Sequence, residues 1–221
     1  MKTLSEQLFE RFCSDNEIVC IQIVPDGQES RKHPDYSIEC SGNPIIVEVK
    51  EFGDNPENRL LRTNLNQTGS TGEFDPHLDR RARKRIDDAM PQLRRLAKGK
   101  LAALVVLFDN ENIIPLSGLE IRLAMYGQDK VDIFAPEQES GRILIQHRFG
   151  PGQKVTPQHN TTLSAVALLQ NQEDQQIMLE IYHNRFAAIP FNPNWLRIPP
   201  VKHFVLAKQL GVGGLPEWQE I

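Results

Sequence analysis

Pro34-Asp35 and, after twelve intervening residues, Glu48-Val49-Lys50 supply two carboxylates and an ammonium group at a spacing one small hairpin can close. Glu48 and Lys50 interrupt an otherwise apolar run, Ile45, Ile46, Val47 and Val49. Side chains alternate along a strand, so these two charges share one face and Val49 takes the other. Burying them beside isoleucine and valine costs several kcal/mol unless something compensates. A hard divalent cation compensates well. Mg²⁺ is typically held by one or two carboxylates together with waters and a substrate phosphate. Asp35 and Glu48 are the expected metal ligands, and the Val49 carbonyl is a further oxygen beside them. Mg²⁺ is therefore the expected cofactor, with Mn²⁺ as a substitute. Such a cation lowers the pKa of bound water and neutralises charge building on a phosphate. Lys50 is expected to position water or stabilise charge, because acting as a base would require loss of a proton held with a reference pKa of about 10.4.

These residues need a hairpin beside a buried strand, and the flanking sequence predicts one. Leu4, Leu8, Phe9, Phe12 and Cys13 recur at helical spacing, which predicts an amphipathic helix over 3–14. Ile18 to Val24 is rich in β-branched residues and reads as a first strand. Residues 25–34 read as a loop, Tyr36 to Cys40 as a second strand, Ser41-Gly42-Asn43 as a turn, and Ile45 to Val49 as a third strand. Residues 51–75 show no periodicity, and a loop of that length inside a compact domain is usually functional or disordered. Asp75-Pro76 looks like an N-cap and first helical position. The helix that follows runs to about residue 98, with a kink expected at Pro91 and a stop at Gly99. Leu101 to Phe108 reads as a buried strand. Beyond it, Leu119 to Tyr126 reads as a short helix. Val131–Phe134, Arg142–His147, Thr162–Leu169 and Ile177–Tyr182 read as strands, and the proline-rich stretch 190–200 as irregular.

The motif and its setting resemble the PD-(D/E)XK nuclease superfamily, with its restriction-endonuclease-like fold. The resemblance covers about residues 3–108. It implies an α/β core of helix, three strands, helix and strand, a mixed sheet flanked by helices, followed by a β-rich C-terminal extension. The expected division is a core over 1–115 and an extension over 116–221 packed on it in one compact domain. The resemblance also implies a Mg²⁺-dependent endodeoxyribonuclease with DNA as its partner, Asp35 and Glu48 as ligands and Lys50 as the catalytic lysine. Nucleases of this kind often act as homodimers, so self-association is one expected assembly. Many members add a glutamate from the first helix. Glu6 and Glu10 are the candidates here, and the Phe9-Glu10-Arg11-Phe12 setting favours Glu10 as the fourth catalytic residue.

In the second helix Arg81, Arg85, Asp88 and Gln92 follow a 4-3-4 spacing and form a polar stripe beside the apolar face. Some superfamily members place a basic residue and a glutamine of this helix near the scissile phosphate. Arg85 and Gln92 are similar to those positions, and Arg81, Arg85 and Gln92 are the expected DNA contacts. Arg80, Arg83, Lys84, Arg94, Arg95, Lys98 and Lys100 surround them in the chain's one dense basic patch.

The 221 residues carry a net charge of −4, so a nucleic-acid contact must come from such a local patch and not from bulk charge. Cys13, Cys20 and Cys40 form no C-x-x-C pair, which fits buried thiols in a reducing compartment. No signal-peptide core follows Met1, and no apolar run is long enough to span a bilayer. A cytoplasmic protein without membrane contact is the expectation. Three simpler assignments compete: Glu48 and Lys50 as a solvent-facing alternation, Asp35 as an ordinary Pro-Asp turn, and the basic helix as a solvated face. A second functional class is the same fold as a catalytically silent DNA-binding or protein-interaction module in a defence or mobile-element system. His33 and His183 are read as structural. Gly211 to Gly214 lacks the setting of a nucleotide loop, and Asn160-Thr161-Thr162 carries no meaning as an acceptor in a cytosolic protein.

Overall fold

The computed structural model describes residues 2–24, 33–52, 63, 78–109, 115–134, 144–172, 176–207 and 217–221. The first helix, α1 (Leu4–Asp15), begins on a capping box in which the Thr3 hydroxyl receives the Glu6 amide and the Glu6 carboxylate receives the Thr3 amide. Its buried side, Leu8, Phe9, Phe12 and Cys13, follows the expected apolar spacing. Strand β1 (Val19–Gln22) is shorter than its β-branched run suggests. Strands β2 (Tyr36–Cys40) and β3 (Asn43–Glu51) form the expected antiparallel hairpin. Ser41 (φ 51°) and Gly42 (φ 74°) turn it, both in the left-handed region that a two-residue type I′ turn demands.

Helix α2 (Leu78–Ala97) buries Ala82, Ile86, Ala89, Met90, Leu93 and Ala97 on one side. It continues through Pro91, whose ring lies on the exposed side. There water can serve the backbone carbonyl that the missing N–H leaves open. Lys98 (φ 47°) and Gly99 (φ 64°) then stop the helix, as the glycine predicts. The cap at Asp75-Pro76, nearly all of the 51–75 loop, and Gly211 to Gly214 lie outside the described residues.

Strand β4 (Ala102–Phe108) is buried throughout and is followed by α3 (Gly118–Tyr126), capped by Ser117. Strands β5 (Asp129–Phe134) and β6 (Leu144–Phe149) form a separate two-stranded ribbon. Strands β7 (Ala165–Asn171), β8 (Ile177–His183), β9 (Val201–Leu206) and β10 (Trp218–Glu220) complete the main sheet. The 190–200 stretch holds only a short 3₁₀ turn, Pro193–Leu196.

The fold is α/β, with an eight-stranded mixed sheet in the order β1-β2-β3-β4-β7-β8-β9-β10, flanked by helices. Strands β3, β4 and β7 run parallel, and the outer pairings are antiparallel except β8 with β9. The C-terminal strands thus extend the same sheet through β4 and β7. Two apolar clusters cover its faces. One joins α1 to Tyr36, Ile38, Val47, Val49, Leu104 and Val106. The other joins α2 and α3 to Ile46, Phe52, Ala103, Val105 and Leu107. Strand β4 alternates between the two clusters, which is why its sequence is apolar at every position. Among the described residues no helix is long and apolar enough to cross a membrane.

Candidate active site

The hairpin turn sets the site. It pairs Tyr36 with Val47, and the same register carried one residue outward sets Asp35 opposite Glu48. Tyr36 and Val47 point toward α1, so Asp35 and Glu48 point the other way, toward α2. A slip of one residue would send the whole charged row into the α1 core. Asp35 Oδ2 accepts the Val49 N–H at 2.8 Å, which ties the start of β2 to the end of β3. Lys50, two residues beyond Glu48 on the same face, donates to Glu48 Oε1.

Glu48 is fully buried, and its second oxygen, Oε2, is sealed from solvent with no hydrogen-bond partner among the described residues. Burial is the main reason its carboxyl is pushed up to about 7, and repulsion from Asp35 adds to it. Lys50 and the Gln92 amide pull it back in part. Gln92 lies near enough to influence the proton, but its Nε2 hydrogen bond goes to the His33 carbonyl at 3.0 Å. Burial raises Asp35 as well, opposed by the Val49 amide and by Lys50. Two carboxyls and one ammonium therefore converge, with one buried carboxylate oxygen left over. Val49 contributes its N–H to Asp35, a contact the spacing did not suggest. Among the described residues no three His, Cys, Asp or Glu side chains gather into a group that could hold a metal ion.

The first helix approaches the same end of β3. Glu51 Oε2 accepts the Ser5 N–H at 2.9 Å, joining the first turn of α1 to the last residue of the strand. Glu10 accepts the Tyr36 hydroxyl at 3.0 Å and an ion pair from Lys2, so its carboxylate is occupied and held below the usual range, chiefly by Lys2. Glu6 is the helix acid whose charge reaches Asp35.

Helix α2 lies along the charged row of β3. Gln92 faces the Glu48 end, and Arg81 and Arg85 lie over the ring of Phe52, with guanidinium carbons 5.3 and 5.8 Å from its centroid. The basic patch of the sequence divides in space. Arg83 packs against Gly152, and Arg94 bonds the Asn160 side chain, both away from Phe52. Phe52 and Asp109, which pairs with Arg81 at 3.5 Å, carry no signal in the sequence because neither belongs to a motif.

His183 belongs to the core. Its Nε2 lies 3.0 Å from His203 Nδ1, and His203 Nε2 faces the Leu196 carbonyl at 3.1 Å. Asn160 is buried and donates to the Lys154 carbonyl at 2.7 Å.

No family model, curated protein or solved structure matches the chain.

Proposed function

We propose that the protein is a divalent-cation-dependent nuclease that hydrolyses DNA phosphodiesters on a restriction-endonuclease-like core. The observation that carries this reading is the buried Glu48 carboxylate, opposite Asp35, with one oxygen that meets no hydrogen-bond partner among the described residues. A sealed, unbonded carboxylate oxygen costs several kcal/mol when ionised. A cation shared with Asp35 offsets that cost. The order helix, hairpin, helix and parallel β4 supports the core assignment, because it sets both acids beside Lys50.

The donor set fits Mg²⁺, or Mn²⁺ in its place: two carboxylates and a neighbouring Val49 carbonyl. Bound there, the ion would lower the pKa of a coordinated water and offset charge growing on the phosphate. Asp35 is held ready by the Val49 amide. Lys50, held beside Glu48 Oε1, would orient the attacking water and stabilise charge at the phosphate. Gln92, anchored on the His33 carbonyl, fixes the wall of the site opposite β3. Glu6 adds negative charge from α1.

Purified protein, Asp35→Ala and Lys50→Ala are incubated with supercoiled plasmid and Mg²⁺, Mn²⁺ or chelator. Cutting by the parent alone, and only with metal, is expected. Metal-dependent cutting that survives in both variants contradicts the assignment. DNA binding without cutting, equal in all three proteins, would point to the silent module.

A further inference from the structure

Cys13 and Cys20 lie on consecutive elements, α1 and β1, and the connection between them is short and fixed. Glu17 takes a left-handed φ of 56°, its N–H reaches the Ser14 carbonyl at 3.2 Å, and the Ile18 N–H reaches the Cys13 carbonyl at 2.9 Å. These bonds close a helix-end turn of the Schellman kind and fold β1 back beside the last turn of α1. Ile18 and Cys20 then pack toward α1, while Val19 and Ile21 turn to solvent. The register agrees, because Cys20 pairs with Ile38, which belongs to the same apolar layer. Cys13 is completely buried in that layer, whereas Cys20 is half-buried on the edge strand of the sheet.

The Cys13 S–H is directed at the Cys20 sulfur. That contact, followed by burial, holds the proton on Cys13 far above the usual thiol range. The same contact lowers Cys20, against burial and the Glu10 charge. Cys20 is thus the thiol that ionises and that solvent reaches, and Cys13 is the protonated neighbour behind it. Burial pushes the third thiol, Cys40, up to about 11, which keeps it the poorer nucleophile.

We infer that Cys13 and Cys20 form a reversible oxidation site, in which a hydroperoxide oxidises Cys20 and Cys13 closes a disulfide onto it. The Cys20 thiolate attacks one peroxide oxygen and the O–O bond breaks. The sulfur becomes a sulfenic acid, and the other oxygen leaves as hydroxide and takes up a proton. The Cys13 sulfur then displaces the sulfenic oxygen, which departs with the Cys13 proton as water, and the S–S bond forms. The peroxide gains two electrons, and the two thiols together lose two electrons and two protons. A small dithiol reverses the bond by exchange. In a reducing compartment such a bridge is transient and reports oxidant. The chemistry is independent of the acidic pair on β2 and β3.

The reduced protein is treated with stoichiometric hydrogen peroxide, quenched with N-ethylmaleimide and digested with trypsin for mass spectrometry. Cys13 and Cys20 share the peptide from Phe12 to Arg31, and Cys40 lies in the peptide from His33 to Lys50. The first peptide should lose two hydrogens and both maleimide labels, and dithiothreitol should restore the labels. The Cys40 peptide should stay labelled throughout. Oxidation should run several times faster in the folded protein than in urea, where Cys20 regains an ordinary thiol. Cys20→Ser, a change at a half-buried position, should leave Cys13 labelled. Cys13→Ala, shown to be folded by far-UV circular dichroism, should stop at a Cys20 sulfenic acid that dimedone traps. A first peptide that keeps both labels, a bridge to Cys40, or oxidation no faster in the folded protein than in urea overturns the inference.

Discussion

Glu48→Gln should make the protein more stable while abolishing its proposed activity, and the gain should depend on pH. In the folded chain the Glu48 carboxyl keeps its proton up to about 7, against an ordinary value of 4.5. Between those two values the folded state holds a proton that the unfolded state has released. Wild-type stability therefore drains away as pH rises through this window. Each unit of difference is worth 1.36 kcal/mol, so the loss amounts to about 3 kcal/mol by pH 8. Glutamine has the same shape and nothing to ionise. Lys50 loses its partner but keeps 20% exposure and reaches water. Urea unfolding of both proteins in chelator should show a stability difference that is small at pH 4 and grows by about 3 kcal/mol by pH 8. For a chain of this size that corresponds to roughly 6–12 °C in Tm. Saturating Mg²⁺ should close the gap from the other side. It should stabilise the wild type by about 2.7 kcal/mol at one hundred times its Kd and leave the glutamine variant unmoved. A difference that stays flat with pH, or a destabilised variant at pH 8, would refute the reasoning, because Glu48 would then not be an ionised group held at a cost.

Two further outcomes test the frame around the site. Burial and the neighbouring His203 push His183 down to about 4. The unfolded chain takes up that proton near pH 6.5, so stability present above about 6.5 should be lost toward pH 4 by about 3 kcal/mol; acid titration of unfolding should show this in the wild type and a reduced slope in His183→Gln. Thr3→Ala removes the hydroxyl that receives the Glu6 amide and should cost about 1 kcal/mol in urea unfolding, with little change if the capping box is inert.

What could be read ahead of the structure follows from how local each signal is. The apolar spacing of α1 and α2, the Ser41-Gly42 turn and the uninterrupted β4 are all local, and each appears where the residues imply it. The hairpin carries Asp35 to Glu48 by register alone, so that part of the site was also visible. Strand β9 was missed because it follows Pro199-Pro200 and buries His203 where an apolar residue would have marked it. Strand β10 is three residues long and too short to show a period. The parallel pairing of β4 with β7 joins segments far apart in sequence, and no local pattern encodes it. The same holds for the Ser5–Glu51 bond and for the two arginines over Phe52. The Tyr36 hydroxyl on Glu10 is likewise a contact that only the folded chain brings about.

The most direct test of the acidic pair as a cation site is anomalous scattering from crystals soaked in Mn²⁺. One strong peak is expected within bonding distance of both the Asp35 carboxylate and Glu48 Oε2, absent from Glu48→Gln crystals treated alike. A well-ordered site with no peak between those two carboxylates, in crystals that bind Mn²⁺ elsewhere, would contradict it.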